Sequence, residues 1–216
     1  MIFSDRKDAG RRLAEKLLKF RGENLLVLGI PRGGVIVAAE VAEALDAPLD
    51  VIIPRKIGAP FNQELAVGAV APDGTVLYDE TMMRYLGLDE SLLKRQISRE
   101  LEEIRRRLKL YRGEQEPLDL EGRTAILVDD GIATGFTVQA ALRSLRRQKP
   151  ARLVLAVPVA PWEAVVRLKP EVDELIFLLN PEVFYAVGQF YKDFRQTTDE
   201  EVIAALAHNR ARHEKK

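Results

Sequence analysis

Five short apolar runs alternate with helical segments, and this alternation is the feature that most constrains the fold. The runs are NLLVLGI from Asn24, LDVIIPRK from Leu49, TAILVDD from Thr124, RLVLAVPV from Arg152 and ELIFLL from Glu174. Each is the length of a buried strand and ends at turn residues or before a helical segment. The sequence therefore predicts an α/β fold, a mainly parallel twisted sheet flanked by helices.

The segment ILVDDGIATGFTV combines acidic side chains with a loop suited to anions. A predicted strand ends in Asp129 and Asp130, and the chain then turns into a helix. Open α/β sheets bind ligands at the carboxyl ends of their strands, where these oxygens would suit ribose hydroxyls. The loop can wrap backbone amides and threonine hydroxyls around a phosphate at a helix N-terminus. Its residues are Gly131, Ile132, Ala133, Thr134, Gly135, Phe136 and Thr137.

Acidic groups for a diol beside amides for a phosphate describe a ribose 5-phosphate site. Residues 126–138 resemble the phosphoribosyl pyrophosphate (PRPP) motif of the type I phosphoribosyltransferases: an apolar strand, two acidic residues, three variable residues and Thr-Gly-x-Thr. The structural alternative is a turn in which the two aspartates cap the following helix. The chain has neither the GxxxxGK[ST] loop nor a GxGxxG fingerprint after a predicted strand, which argues against nucleotide hydrolysis and hydride transfer.

The resemblance implies a Rossmann-like sheet and two further phosphate-binding elements. The turn Pro31, Arg32, Gly33 and Gly34 resembles the family's pyrophosphate loop, in which glycines expose backbone amides and Arg32 adds a forked cation. Lys56 ends the second predicted strand, where relatives carry a basic residue against the pyrophosphate. The alternatives are a tight turn with a surface arginine and a solvated lysine at a strand end.

Residues 57–113 lie where the family places its mobile catalytic loop, and here the region is unusually long. LAVGAVA and TVLY flank the turn Pro72-Asp73-Gly74 and predict a small hairpin. Between Asp89 and Tyr111, apolar residues recur at spacings of three and four, which predicts one long amphipathic helix. Its apolar stripe favours packing over catalysis.

The predicted long helix also carries a series of basic residues. Glu102 and Glu103 lie four residues before Arg106 and Arg107 and can pair with them, so we interpret the series as a solvated face rather than a surface for RNA. The full set is Arg95, Arg99, Arg105, Arg106, Arg107 and Lys109.

The C-terminal segment FYAVGQFYKDFRQ is reminiscent of the hood of purine salvage enzymes of the family. In those relatives an aromatic ring stacks on the acceptor base, and Phe184 or Tyr185 is the candidate for that role. The match is loose, because Asp193 lies one residue away from the family's acidic position measured from Gly188. Aromatic residues at such places are also often part of the core.

The predicted organisation is essentially one domain. Residues 1–180 form the core with its insertion, and residues 181–216 form the hood and tail. An amphipathic helix is expected over residues 5–20 with Ser4 as its N-cap, and a last helix over residues 199–208.

Composition excludes several kinds of chemistry. The chain has no cysteine, which excludes disulfides, thiolate catalysis and thiolate zinc sites, and His208 and His213 are poor material for a metal site. Lys plus Arg and Asp plus Glu number 33 each, so no global field attracts nucleic acid or a membrane surface. The N-terminus has no apolar leader and no run approaches the ~20 residues of a membrane helix, which predicts a cytoplasmic protein.

The predicted function is transfer of a phosphoribosyl group from PRPP to a nitrogen acceptor, with a purine base as the first guess. The resemblance implies Mg²⁺ carried by the donor, with no metal ligated by the protein alone. Asp129 and Asp130 would hold the ribose, while Arg32, Lys56 and backbone amides stabilise the departing pyrophosphate. A homodimer is expected. Two alternatives stay open: a regulator that senses PRPP or a nucleotide without turnover, and an interaction protein that uses the long helix.

Overall fold

The protein is built from two β-sheets and the helices that cover them. The computed structural model describes residues 2–113 and 118–214. In chain order the strands are β1 (Leu25–Gly29), β2 (Leu49–Val51), β3 (Arg55–Ala59), β4 (Asn62–Val70), β5 (Val76–Tyr78), β6 (Thr124–Val128), β7 (Arg152–Val159) and β8 (Glu174–Leu179). The helices are α1 (Arg6–Leu17), α2 (Gly33–Leu45), α3 (Glu80–Tyr85), α4 (Glu90–Arg112), α5 (Phe136–Arg147), α6 (Trp162–Leu168) and α7 (Asp199–His213).

The larger sheet has five strands in the order β2-β1-β6-β7-β8, and every neighbouring pair is parallel. Parallel neighbours require crossover connections, which α2, α5 and α6 provide. The strands at the centre are buried along their whole length, as both faces of a parallel sheet must be covered. The predicted fold class is therefore confirmed.

Helices cover this sheet from both sides because successive side chains of a strand point to opposite faces. On one face Val27 belongs to a core shared with α1, α2, α4 and α7. On the other face Leu26 and Leu28 belong to a core shared with α5 and α6. The carboxyl ends of β1 and β6 are thus held between two packed layers.

The second apolar run does not form one strand. β2 ends at Val51, and the chain then leaves the main sheet and enters β3 of a smaller antiparallel sheet with the order β3-β4-β5. Pro54 lies between the two strands, and a proline cannot donate the hydrogen bond that a central strand needs. The prediction that Lys56 ends the second strand of the main sheet was wrong, since Lys56 lies in β3. The predicted hairpin is present as β4 and β5.

Helix α4 follows the periodicity of the sequence closely. The Asp89 side chain caps it by accepting hydrogen bonds from the amides of Ser91 and Leu92. Its apolar stripe, which includes Leu93 and Ile104, is buried in the core that also receives β3, β4 and α7. Although α4 is long, its outer face is charged, and no helix in the described ranges has the length and apolarity needed to span a bilayer.

Both terminal helices differ in detail from the predictions. Asp5, not Ser4, caps α1, because the Asp5 carboxylate accepts from the Asp8 amide. The last helix runs on to His213 rather than ending near His208, because Asn209 is buried and bonds the backbone of Leu49 and Ala47. The predicted division into a core and a hood at residues 180 and 181 stays a prediction, and residues 215 and 216 of that hood lie outside the described residues.

The packing of α4 leads to a stability prediction. Ile104 is 1% exposed, so Ile104→Ala should leave a cavity and lower the free energy of unfolding by about 2–5 kcal/mol. Leu110→Ala on the same helix removes a side chain that is 41% exposed and should change it by less than about 0.5 kcal/mol. Urea unfolding of both variants measures these changes. Equal losses of unfolding free energy would show that α4 is not anchored through Ile104.

Candidate active site

Two loops meet at the carboxyl edge of the main sheet because β1 and β6 are parallel neighbours. Gly29 pairs with Val128, and the Ile30 amide donates to the Val128 carbonyl at 3.0 Å. The turn after β1 and the aspartates after β6 therefore emerge side by side. The sequence-predicted pyrophosphate loop and acidic pair lie together.

The glycines of the first loop are required by the carboxylates of the second. A Cβ atom on Gly33 would lie 2.0 Å from Asp130 Oδ2, and one on Gly34 would lie 2.7 Å from Asp129 Oδ1. Any larger residue would force the two loops apart. The peptide bond between Pro31 and Arg32 is cis. The backbone of this loop thus runs directly over both aspartates.

Asp129 lies under that loop and is largely enclosed by protein. Its Oδ1 accepts a hydrogen bond from the Asp130 amide at 2.8 Å. Burial raises the pKa of Asp129 well above its usual range, and the neighbouring negative charge of Asp130 raises it further. This carboxyl group therefore holds a proton more strongly than an ordinary aspartate.

Asp130 is held by residues from both ends of the chain. Arg6 Nε donates to Asp130 Oδ2 at 2.7 Å, and the two side chains are 11% and 16% exposed. Burial raises the pKa of Asp130, and the positive charge of Arg6 opposes this rise. The Tyr191 hydroxyl donates to the Asp130 carbonyl at 2.6 Å, and the Arg6 guanidinium lies 4.0 Å from the centre of the Phe194 ring. The sequence reasoning missed Arg6 and Tyr191, and no local motif marks them.

The loop predicted to bind the 5′-phosphate is shaped by close packing at its start and by a glycine at its end. A Cβ on Gly131 would lie 2.4 Å from Val187 Cγ1, so the hood rests directly on the loop. Gly135 precedes α5 with a φ of 83°, a conformation that favours glycine. No side chain caps α5 among the described residues, so the first amides of this helix lack a side-chain acceptor.

The two predicted cations occupy different positions around these loops. Arg32 lies 3.8 Å from Asp199 at the start of α7. Asp199 also accepts a hydrogen bond from the Tyr111 hydroxyl. Burial of Tyr111, together with this hydrogen bond, raises the pKa of Tyr111 to about 12. Lys56 is exposed on β3, and no acidic partner for it occurs in the described part of the chain.

Lys56 faces a cleft of about 780 Å³ between the smaller sheet, α4 and the two loops. We call it the α4 cleft, and its lining includes Pro31, Lys56, Arg95, Arg99 and Thr137. The smaller sheet thus brings Lys56 into one cleft with Pro31 of the loop after β1, by a route other than the predicted one.

The aromatic candidates of the hood lie apart from the aspartates. The Phe184 ring stacks on Phe190 with ring centres 5.8 Å apart, and it lines a smaller cavity with Trp162. Tyr185 is 87% exposed. The hood residues that contact the site are instead Val187 and Tyr191. A base-stacking role for Phe184 or Tyr185 stays a prediction.

The donor set suits a metal ion that arrives with a substrate. Only two carboxylates meet here, and within the described ranges no group of three or more Asp, Glu, His or Cys side chains could hold an ion. Mg²⁺ keeps several waters and binds through one or two carboxylates plus substrate phosphates. The aspartates therefore fit such an ion only when a phosphorylated ligand supplies the remaining oxygens.

The family of this chain follows from its similarity to known proteins. A model described as the phosphoribosyl transferase domain matches residues 3–194, which include both loops, the acidic pair and residues 181–194 of the predicted hood. The chain belongs to this family. The match confirms the family resemblance on which the site was predicted.

Relatives in this phosphoribosyltransferase family are close in sequence. Curated proteins from two strains of Mycobacterium tuberculosis, named provisionally as phosphoribosyl transferases, are 45% identical over 205 residues, covering 95% of this chain and 46% of theirs. The chain thus spans about half the length of these relatives. The crystal structure of TT1426 from Thermus thermophilus is 45% identical, with a TM-score of 0.81 over 96% of this chain and 99% of that one. The AQ2163 protein from Aquifex aeolicus shares the fold alone, at 14% identity and a TM-score of 0.51.

The Arg6 and Asp130 pair leads to a second stability prediction. Arg6→Ala leaves the buried Asp130 without its compensating cation, so the free energy of unfolding should fall by about 3–5 kcal/mol at neutral pH. Arg12→Ala on the same helix removes a more exposed pair with Asp8 and should cost about 0.3–0.5 kcal/mol. Urea unfolding measures both. Similar losses of unfolding free energy in the two variants would mean that the ion pair with Asp130 stabilises the fold no more than the exposed pair does.

The raised pKa of Asp129 predicts that removing its negative charge increases the stability of the fold, by an amount that depends on pH. Because the folded-state pKa lies above the unfolded value, ionisation opposes folding, and stability is lost as pH rises from the unfolded pKa through the folded one. Asp129→Asn should therefore raise Tm by about 2–4 °C near pH 8, with the gain shrinking near pH 4. Thermal scans at both pH values test this, with the exposed Glu15→Gln as control. A lower Tm near pH 8 would contradict the burial of a charged Asp129.

Proposed function

We propose that this chain transfers the 5-phosphoribosyl group of PRPP to a nitrogen acceptor and releases pyrophosphate. The observation that carries the proposal is the close packing of Gly33 and Gly34 on Asp130 and Asp129. This packing supports the proposal because it brings the loop after β1 and the two aspartates to one edge of the sheet, where they could hold a pyrophosphate and a ribose. Membership of the phosphoribosyl transferase family supports the same activity.

Each element has a physical role in this reaction. The loop from Gly131 to Thr137 would hold the 5′-phosphate through amides and hydroxyls at the start of α5. Asp130, oriented by Arg6, would accept hydrogen bonds from the ribose hydroxyls. The amides of the loop after β1, together with Lys56, would meet the pyrophosphate as its negative charge develops.

The departing group requires more positive charge than the backbone supplies. Mg²⁺ bound with the donor would neutralise phosphate charge when it is present. Arg32 can turn to the pyrophosphate from Asp199, which lies 3.8 Å away and is partly exposed. Asp129 is the better of the two carboxyl groups for accepting a proton from the acceptor, because its raised pKa favours the protonated form.

The finer assignments in this proposal rest on the resemblance alone. A nucleobase is the proposed acceptor, with purine first, because the hood sequence is reminiscent of purine salvage enzymes. The predicted homodimer, the cytoplasmic location and the low affinity for nucleic acid remain predictions.

Calorimetry and a product assay test the proposal together. PRPP binding is measured with and without Mg²⁺ on the wild type, on the Asp129→Asn/Asp130→Asn double variant and on Glu15→Gln, whose carboxylate is exposed on α1. We expect binding to depend on Mg²⁺ and to weaken about 100-fold or more in the double variant, because the carboxylate of Asp130 that would hold the ribose and its acidic neighbour are both lost. Glu15→Gln should bind as the wild type does.

The same samples are then assayed for pyrophosphate release with a panel of bases. Release that depends on a base establishes a transferase and identifies the acceptor. Binding without release from any base would favour the regulator that senses PRPP. Absence of PRPP binding by the wild type would overturn the proposed site.

A further inference from the structure

Two arginines of α4 face the α4 cleft rather than bulk solvent alone. Arg95 and Arg99 are four residues apart and therefore lie on one side of the helix. Both line the cleft together with Pro31 of the loop after β1 and Thr137 in the first turn of α5. The interpretation of the basic series as a solvated face holds for Arg106 and Arg107, which pair with Glu103. Arg95 and Arg99 are exposed as well, but they also line the cleft.

The cleft carries positive charge that the protein does not neutralise. Arg55, which also lines it, donates to Glu100 at 2.8 Å, so this acidic residue is already paired. Within the described ranges Lys56, Arg95 and Arg99 have no ion-pair partner, and Glu64 is the other acidic residue in the lining. Three cations left beside one unpaired carboxylate attract an anion with more than one charge.

An unsatisfied polar atom lies in the same wall. The Oε1 atom of Gln96, between the two arginines in sequence, is buried and has no hydrogen-bond partner among the described residues. Buried polar atoms are normally paired with protein, water or ligand. This oxygen needs a donor such as water and would not be satisfied by a phosphate oxygen, so the case for an anion rests on the cations of the wall.

We propose that Arg95 and Arg99 of α4, with Lys56 of β3, form an anion-binding wall that holds a diphosphate group. Guanidinium forks bind two phosphate oxygens at once, and neighbouring cations at helical spacing suit two linked phosphates better than one. The inserted helix then contributes binding residues to the site as well as packing. The inference rests on the proposed function for its ligand, the pyrophosphate end of PRPP or free pyrophosphate.

Binding of inorganic pyrophosphate by calorimetry tests the wall without requiring turnover. We compare the wild type with Arg95→Gln, Arg99→Gln and the double variant, and use Arg105→Gln as the control. Arg105 is exposed on the same helix and does not line the cleft. We expect the dissociation constant to rise about 10-fold for each single variant and about 100-fold for the double, with less than about a twofold change for Arg105→Gln.

Ribose 5-phosphate serves as an internal probe of the rest of the site. It carries the diol and the 5′-phosphate but no diphosphate, so its affinity should be equal in the wild type and the double variant. Weaker binding of both probes would indicate general damage to the site and overturn the specific role of the two arginines. Wild-type affinity for pyrophosphate in the double variant, or no pyrophosphate binding by the wild type, would also overturn it.

The outcomes separate this inference from the proposed function. If the wild type releases pyrophosphate in the presence of a base and the double variant keeps the same KM for PRPP, the transferase stands and the wall is wrong. If the double variant loses pyrophosphate binding and no base supports release by the wild type, the wall stands and the transferase is wrong.

Discussion

The parallel pairing of β1 with β6 is the interaction on which the rest of the site depends. It brings the loop after one strand over the carboxylates after the other, at a distance that only glycine tolerates at Gly33 and Gly34. Because both strands are buried between two helical layers, neither loop can move without disturbing the core. A rigid sheet edge therefore fixes the positions of groups that would be scattered on a free loop.

This arrangement buries two adjacent carboxyl groups, Asp129 and Asp130, and gives them different neighbours. Asp130 has a guanidinium partner from α1 and a hydrogen bond from Tyr191 to its backbone carbonyl. Asp129 has no such cation in direct contact among the described residues, and burial raises its pKa strongly. Two chemically identical residues therefore differ in the ease with which they lose a proton. That difference is the basis of the separate roles proposed for the two carboxyl groups.

The smaller sheet and α4 form the opposite wall of the crevice. Leu93 and Ile104 anchor α4 in the common core, and this leaves its polar side free to face the cleft. The helix is thus amphipathic, and its polar side faces the α4 cleft over part of its length and solvent over the remainder. Arg95 and Arg99 belong to the first part, and Arg106 with its partner Glu103 belongs to the second.

The sequence by itself determined the fold class, four of the five main strands and the position of the acidic pair at the end of β6, because strand length, helical periodicity and the spacing from Asp129 to Thr137 are local properties of the chain. It also predicted α4 to within a residue at each end. Only the tertiary structure decided that Arg6 would hold Asp130, since these residues are 124 positions apart. It likewise moved Lys56 into a second sheet and turned Arg95 and Arg99 toward the cleft. Such contacts depend on how distant elements pack, and that information is absent from any local pattern.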